Sequence, residues 1–83
     1  MLTDKQKVII SVLNEYGTCT ANDIVRLAKK DKSFTEPFSA NSATGILRSW
    51  ITKGLAANAD NGYNKKVYWL TDYGKEFFKK QNG

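Results

Sequence analysis

The chain of 83 residues has no histidine and only one cysteine, one proline and one methionine. A single cysteine, Cys19, cannot form a disulfide within the chain. Because His and Cys supply most zinc ligands, we expect no metal site and no cofactor. Histidine is also the commonest general acid or base, and the eight Asp and Glu residues form no evident pair. The composition therefore predicts a protein that is not an enzyme.

Long apolar runs are also missing. No segment approaches the ~20 apolar residues of a membrane span, and the opening Met-Leu-Thr-Asp lacks the apolar stretch of a signal peptide. We therefore expect a cytoplasmic protein that does not contact membranes. A hydrophobic fraction of 41% is enough for one modest core, so the length predicts a single domain over residues 1–83.

Basic residues outnumber acidic ones by 13 to 8, which gives a net charge of +5 and a pI near 9.4. The second half of the chain carries most of this excess. A pI above 9 is typical of nucleic-acid-binding domains, although a basic surface without any ligand would have the same composition.

Apolar residues at helical spacing predict four helices. Two pairs, Thr3 with Gln6 and Thr20 with Asp23, have the spacing of a capping box at a helix start. Gly17 is suited to end the first helix. The helices are predicted over residues 3–16, 20–30, 39 or 40 to 53, and a short final segment that Thr71 caps.

Two extended runs flank Asn61-Gly62, a pair that favours a type I′ turn because both of its central residues need positive φ. The predicted strands are 55–60 and 63–70, and Thr18-Cys19 forms a short extended connector. Alternation places Tyr68 and Leu70 on one strand face and leaves Val67 and Trp69 on the other. The order of elements predicts an α+β fold, a helix-turn-helix followed by a two-stranded wing.

Two stretches resemble the winged helix-turn-helix DNA-binding family of small prokaryotic, archaeal and viral repressors. The stretch ATGILRSWITKGLA (43–56) is similar to a recognition helix that runs into the first wing strand. VYWLTDYGKEF (67–77) is similar to the returning wing strand, a Leu-Thr-x-x-Gly motif and a final helix. The resemblance implies a three-helix core, a two- to three-stranded antiparallel wing, and regulation of transcription, as a repressor, through double-stranded DNA. The connection after Lys30 is several residues longer than the usual three- or four-residue turn.

The third predicted helix has an apolar side centred on Leu47 and an outward polar side. N-terminal residues of a recognition helix meet base edges in the major groove, where Asn can bridge adenine and Arg can bridge guanine. The alternative is a solvated face whose small residues pack against the second helix or another subunit. The candidate DNA-binding residues of this helix are Ser39, Asn41, Ser42, Thr44, Gly45, Arg48, Ser49 and Thr52.

The predicted hairpin tip adds Asn64, Lys65 and Lys66 to the candidate DNA-binding residues. Its lysines would attract phosphates without regard to sequence. The alternative is a solvated turn whose charges discourage pairing at the strand edges.

Large apolar residues outside the predicted core indicate that another element covers the outer face of the second wing strand. The residues that would form this contact are Trp69, Tyr73, Phe77 and Phe78. That cover is either a second chain in a homodimer or the final helix of a monomer. Two functions compete with specific DNA recognition: a winged helix that binds other proteins in a transcription, replication or viral assembly, and DNA binding without sequence preference.

Overall fold

Four helices and three strands make up the computed structural model, which describes residues 2–62 and 65–82. In chain order they are α1 (Asp4–Tyr16), β1 (Cys19–Thr20), α2 (Ala21–Ala28), α3 (Ala40–Thr52), β2 (Ala56–Asp60), β3 (Lys66–Leu70) and α4 (Asp72–Asn82). No helix in these ranges is long and apolar enough to cross a membrane.

The helix starts lie where the capping signals predict them. The Thr3 hydroxyl accepts the Gln6 N–H at 3.2 Å, while the Gln6 side chain accepts the Thr3 N–H at 2.9 Å. Thr20 and Asp23 make the same reciprocal pair at the start of α2. Gly17, with φ of +82°, ends α1 as predicted. α2 stops at Ala28, two residues before its predicted end, and a turn takes over.

The sheet is antiparallel with strand order β1-β3-β2. Ala56 pairs with Leu70 and Asp60 with Lys66, so the predicted two-residue turn at Asn61-Gly62 is wrong. Burial decides the register, because Ala56 and Leu70 both face the core and a shift of one residue would turn one of them outward. The Asn61 N–H donates to the Lys65 carbonyl at 2.9 Å, which makes Asn61 the last paired residue before the connection. The predicted strand start, at residue 63, lies outside the described residues.

One hydrophobic core joins all four helices to the sheet. The predicted inward stripe of α3 is confirmed for Ala43, Leu47 and Trp50, which are buried. Residues 29–39, the long connection between α2 and α3, are anchored by Phe34 and Phe38, whose rings meet edge to face at 5.6 Å. Phe38 is buried, so this segment contributes to the core.

The Leu-Thr-x-x-Gly motif docks α4 onto the end of α3. The Thr71 hydroxyl accepts the Gly74 N–H at 2.9 Å and donates to the Gly54 carbonyl at 2.7 Å. The Thr71 N–H donates to the Leu55 carbonyl at 3.1 Å. This docking buries Phe78 against Trp50, with ring centroids 4.7 Å apart. The prediction that Phe78 serves a dimer contact is therefore wrong, since its side chain is 2% exposed.

Candidate nucleic-acid interface

α3 presents the predicted outward side to solvent. The exposed residues are Asn41, Gly45, Arg48, Ser49 and Thr52. Ser42 and Thr44 are half-buried, at the border between this face and the packed side. Together the exposed residues form a continuous strip along the full length of α3, because they recur at intervals of three and four.

Some hydroxyl groups on this strip and beside it already have intramolecular partners. Ser39 is the N-cap of α3, and its Oγ accepts the Ser42 N–H at 3.2 Å. The two hydroxyl groups of Ser39 and Ser42 also hydrogen-bond to each other at 3.2 Å. The Thr52 hydroxyl donates to the Arg48 carbonyl at 3.1 Å. The Ser39 and Thr52 hydroxyl groups thus hydrogen-bond to the backbone of α3, whereas the Asn41 and Arg48 side chains make no hydrogen bond to any described residue.

A cleft of about 470 Å³ lies between the β2–β3 hairpin and the starts of α2 and α3. Lys65 and Lys66 line it from the hairpin side and Ala40 from the start of α3. The start of α2 contributes Thr20 and Asn22. The cleft is therefore bordered by two lysines and by helix N-termini, which carry partial positive charge.

The cations of this surface are not neutralised by carboxylates. Arg48, Lys65 and Lys66 form no ion pair with any described residue, and the one ion pair within residues 2–62 and 65–82 joins Arg26 to Asp23 at 3.3 Å. Lys66 lies opposite Asp60 in the strand ladder, but their charged groups are not within ion-pair distance.

Asp23 is an acidic group in the wall of the cleft. Burial alone would raise the pKa of its carboxyl, but hydrogen bonds from Arg26 and Thr20 outweigh burial and hold that pKa below its usual value. Asp23 is therefore ionised at neutral pH, with much of its charge satisfied by Arg26 and by the start of α2.

The structure separates the candidate residues into two groups. The hairpin lysines share the cleft with the start of α3, whereas Arg48 lies two turns further along α3 and does not line it. Asn64 lies outside the described residues. Thr20 and Asn22 were not among the candidates. The capping box at Thr20 marks where α2 begins, but only the pairing of β1 with β3 brings that start beside the hairpin.

Solved structures provide three comparisons. NadR, in complex with 4-hydroxyphenylacetate, is 27% identical with a TM-score of 0.75, over 95% of this chain and 52% of NadR. BpsR of Bordetella bronchiseptica, whose DNA binding is regulated by 6-hydroxynicotinic acid, is 20% identical with a TM-score of 0.75, over 96% of this chain and 52% of BpsR. F93 from STIV, a winged-helix DNA-binding protein, is 18% identical with a TM-score of 0.76, over 99% of this chain and 88% of F93.

The chain is a winged helix-turn-helix domain. Its α+β architecture, with four helices and a three-stranded antiparallel sheet, confirms the predicted fold class. This winged helix spans about half the length of NadR and BpsR. No protein-family model and no curated protein matches its sequence. In this winged helix, α2 and α3 are the two helices of the helix-turn-helix and the β2–β3 hairpin is the wing.

Proposed function

We propose that this winged helix binds double-stranded DNA as a regulator of transcription, with α3 in the major groove and the wing on the phosphate backbone. Two features together carry the proposal: the exposed strip on α3, where the Asn41 and Arg48 side chains have no partner among the described residues, and the cleft in which the start of α3 meets Lys65 and Lys66. Its structural neighbours include a winged-helix DNA-binding protein and a regulator whose DNA binding responds to a small molecule.

The two groups of residues would divide recognition between them. Arg48 can donate two hydrogen bonds to O6 and N7 of guanine, and Asn41 can bridge adenine. Gly45 is exposed between them, and apart from the nearby backbone of α3 no described atom lies within 4 Å of the position that a Cβ would take. The α3 backbone can therefore approach a base edge or a methyl group more closely there than a side chain would allow.

Lys65 and Lys66 would contact phosphates and not bases. Phosphate contacts fix the register of a protein on the duplex and release condensed counterions, so their contribution falls as salt rises. The cleft between the wing and the start of α2 can accept a phosphate of the DNA strand that borders the major groove in which α3 lies. Thr20 and Asn22 would then add polar groups to the lysine contacts.

Titration of the protein against random and selected duplexes at several salt concentrations tests the proposal. We expect binding that weakens with salt and that favours selected over random sequences. Non-specific DNA binders have dissociation constants of roughly 1–100 μM at physiological salt, and they bind more tightly at low salt. Absence of binding at about 10 μM protein in low salt would contradict the proposal.

Two sets of variants separate base reading from backbone contact. Arg48→Ala should lose about 1–3 kcal/mol on the selected duplex and little on random DNA. Lys65→Ala and Lys66→Ala should weaken both duplexes alike and lower the salt slope by about one. Lys79→Ala, which removes the same charge from α4, is the matched control and should change neither. Equal losses on both duplexes in the Arg48 variant would remove Arg48 from base reading.

A second candidate function rests on exposed aromatic side chains. Tyr16, Tyr73 and Phe77 are 50%, 61% and 37% exposed, and aromatic residues are enriched where proteins bind each other. A partner protein bound there would define the winged helix as an interaction module. We also propose that the protein is a homodimer, with α4 at the contact between the two copies.

A further inference from the structure

α4 carries an exposed aromatic face on the side next to the one that it buries. Tyr73 and Phe77 are four residues apart, so their side chains lie on the same side of the helix, with ring centroids 6.4 Å apart. Tyr73 is 61% exposed and Phe77 is 37% exposed. Gly74 and Phe78 face the core instead.

The aromatic face is connected to the core by direct ring contacts. Phe77 meets Phe78 edge to face at 5.5 Å, and Phe78 packs on Trp50 of α3 at 4.7 Å. The Phe77 ring is therefore held in place by the buried Phe78 ring, so it loses little conformational freedom when a second surface covers it. Rigid aromatic residues of this kind are typical anchors of interfaces.

Charge is distributed unevenly along α4. Asp72 lies in its first turn, and Lys79 and Lys80 lie in its last turn. At about 100° per residue, Lys80 shares the side of Tyr73 and Phe77, Glu76 borders that side, and Lys79 points away from it. The aromatic face thus has an acidic residue near its middle and a lysine at its C-terminal end.

We propose that this face binds α4 of a second copy of the chain, in antiparallel orientation around a two-fold axis near Phe77. Antiparallel packing places Lys80 of the second copy over the Tyr73 ring, where a cation–π contact forms. It also brings that lysine within one helical turn of Glu76. A parallel arrangement would instead set Glu76 beside Glu76 and Lys80 beside Lys80. Charge therefore selects the antiparallel dimer, and two-fold symmetry makes each contact twice.

The contact is small, because one face of an eleven-residue helix lies at its centre. Interfaces below about 1,200 Å² are typical of weak or transient association. We therefore expect monomer and dimer to exchange over roughly 10 μM to 1 mM protein. This inference does not depend on DNA binding and is tested on the free protein.

Sedimentation velocity of the free chain across that concentration range measures the association. The parent should shift from monomer toward dimer, and Phe77→Ala should remain monomeric. Tyr16→Ala, which removes another exposed tyrosine from the end of α1, is the control and should associate like the parent. A parent that stays monomeric at about 1 mM would overturn the proposal, and so would a Phe77 variant that associates normally while remaining folded by circular dichroism.

A charge exchange tests the orientation. Lys80→Glu should weaken association about tenfold, because at both symmetric contacts it removes the cation–π contact with Tyr73 and turns attraction to Glu76 into repulsion. Lys79→Glu makes the same change of net charge in the same turn but off the aromatic face, so it should leave association near the parent value. The double variant Glu76→Lys with Lys80→Glu should recover part of the loss, because it restores the charge attraction but not the cation–π contact. Equal effects at positions 79 and 80, or no recovery in the double variant, would refute the antiparallel contact.

Discussion

Two helical glycines, Gly45 and Gly74, differ in the space that a side chain would find at each position. A Cβ at Gly74 would overlap the carbonyl group of Leu55, whereas a Cβ at Gly45 would have no described atom within 4 Å apart from the nearby backbone of α3 itself. Gly74 therefore permits α4 to lie directly on the chain that follows α3. Nothing in residues 2–62 and 65–82 requires the missing side chain of Gly45 for packing, and a glycine inside a helix weakens α3.

Gly74→Ala should destabilise the protein by about 3 kcal/mol or more, because rigid backbone at Leu55 must move to admit the methyl group. Chemical denaturation monitored by circular dichroism measures the change. The loss should come with exposure of Trp50, which Phe78 covers, and hence with altered tryptophan fluorescence. A variant as stable as the parent would show that α4 can dock at a greater distance.

Gly45→Ala should stabilise the protein by about 0.5–1 kcal/mol, because alanine restricts the unfolded chain and favours an exposed helix position. The same denaturation experiment measures it. If α3 approaches a groove closely at Gly45, this more stable variant should bind the selected duplex less tightly. Unchanged DNA affinity would leave the stability gain intact and remove Gly45 from the interface.

Among the elements, α4 depends most on a single side chain at its start. The Thr71 hydroxyl both caps α4 and bonds to the Gly54 carbonyl, so it joins the end of the α3 turn to the next helix. Capping boxes at Thr3 and Thr20 act only within their own helices. Thr71 therefore contributes to tertiary docking as well as to helix initiation.

Thr71→Ala should cost about 1–2 kcal/mol, from the lost cap and the lost hydrogen bond to the Gly54 carbonyl. Thr71→Ser keeps the hydroxyl and should cost clearly less. Urea unfolding of both variants measures the difference. Equal losses would assign the effect to the methyl group of threonine and not to its hydrogen bonds.

For the molecule as a whole, the lack of histidine predicts that stability is constant from about pH 5.5 to pH 8, where no side chain of ordinary pKa titrates. Acid should act at lower pH. Hydrogen bonds from the Ser33 hydroxyl and N–H lower the pKa of Asp31, and the pKa of Asp23 is also lowered.

Because the folded-state pKa values lie below the unfolded value of about 3.9, the unfolded chain binds more protons in acid. The stabilisation from both carboxylates is thus present above about pH 4 to 5 and is lost as the pH falls through the folded-state values. Thermal unfolding between pH 7 and pH 3 measures this loss, which Asp23→Asn should reduce. A decline identical to that of the parent would show that Asp23 contributes nothing to it.

Local signals predicted the elements well where the deciding contacts are a few residues apart. The reciprocal bonds of Thr3 with Gln6 and of Thr20 with Asp23 need only their own helices. The turn at Asn61-Gly62 failed because burial of Leu70 opposite Ala56 sets the hairpin register. Phe78 was misplaced because periodicity alone cannot decide which of two adjacent phenylalanines faces inward, and the docking of Gly74 on Leu55 settles it.

Residue types and their spacing were enough to predict the helix starts, the inward stripe of α3 and the excess of positive charge. These depend on residue type and on spacing within one element, so they hold in any fold that contains those elements. The position of the wing lysines beside the start of α2, more than forty residues earlier in the chain, instead depends on long-range packing. It follows from the pairing of Cys19 with Tyr68, because this buried contact between two strands is encoded by no local preference.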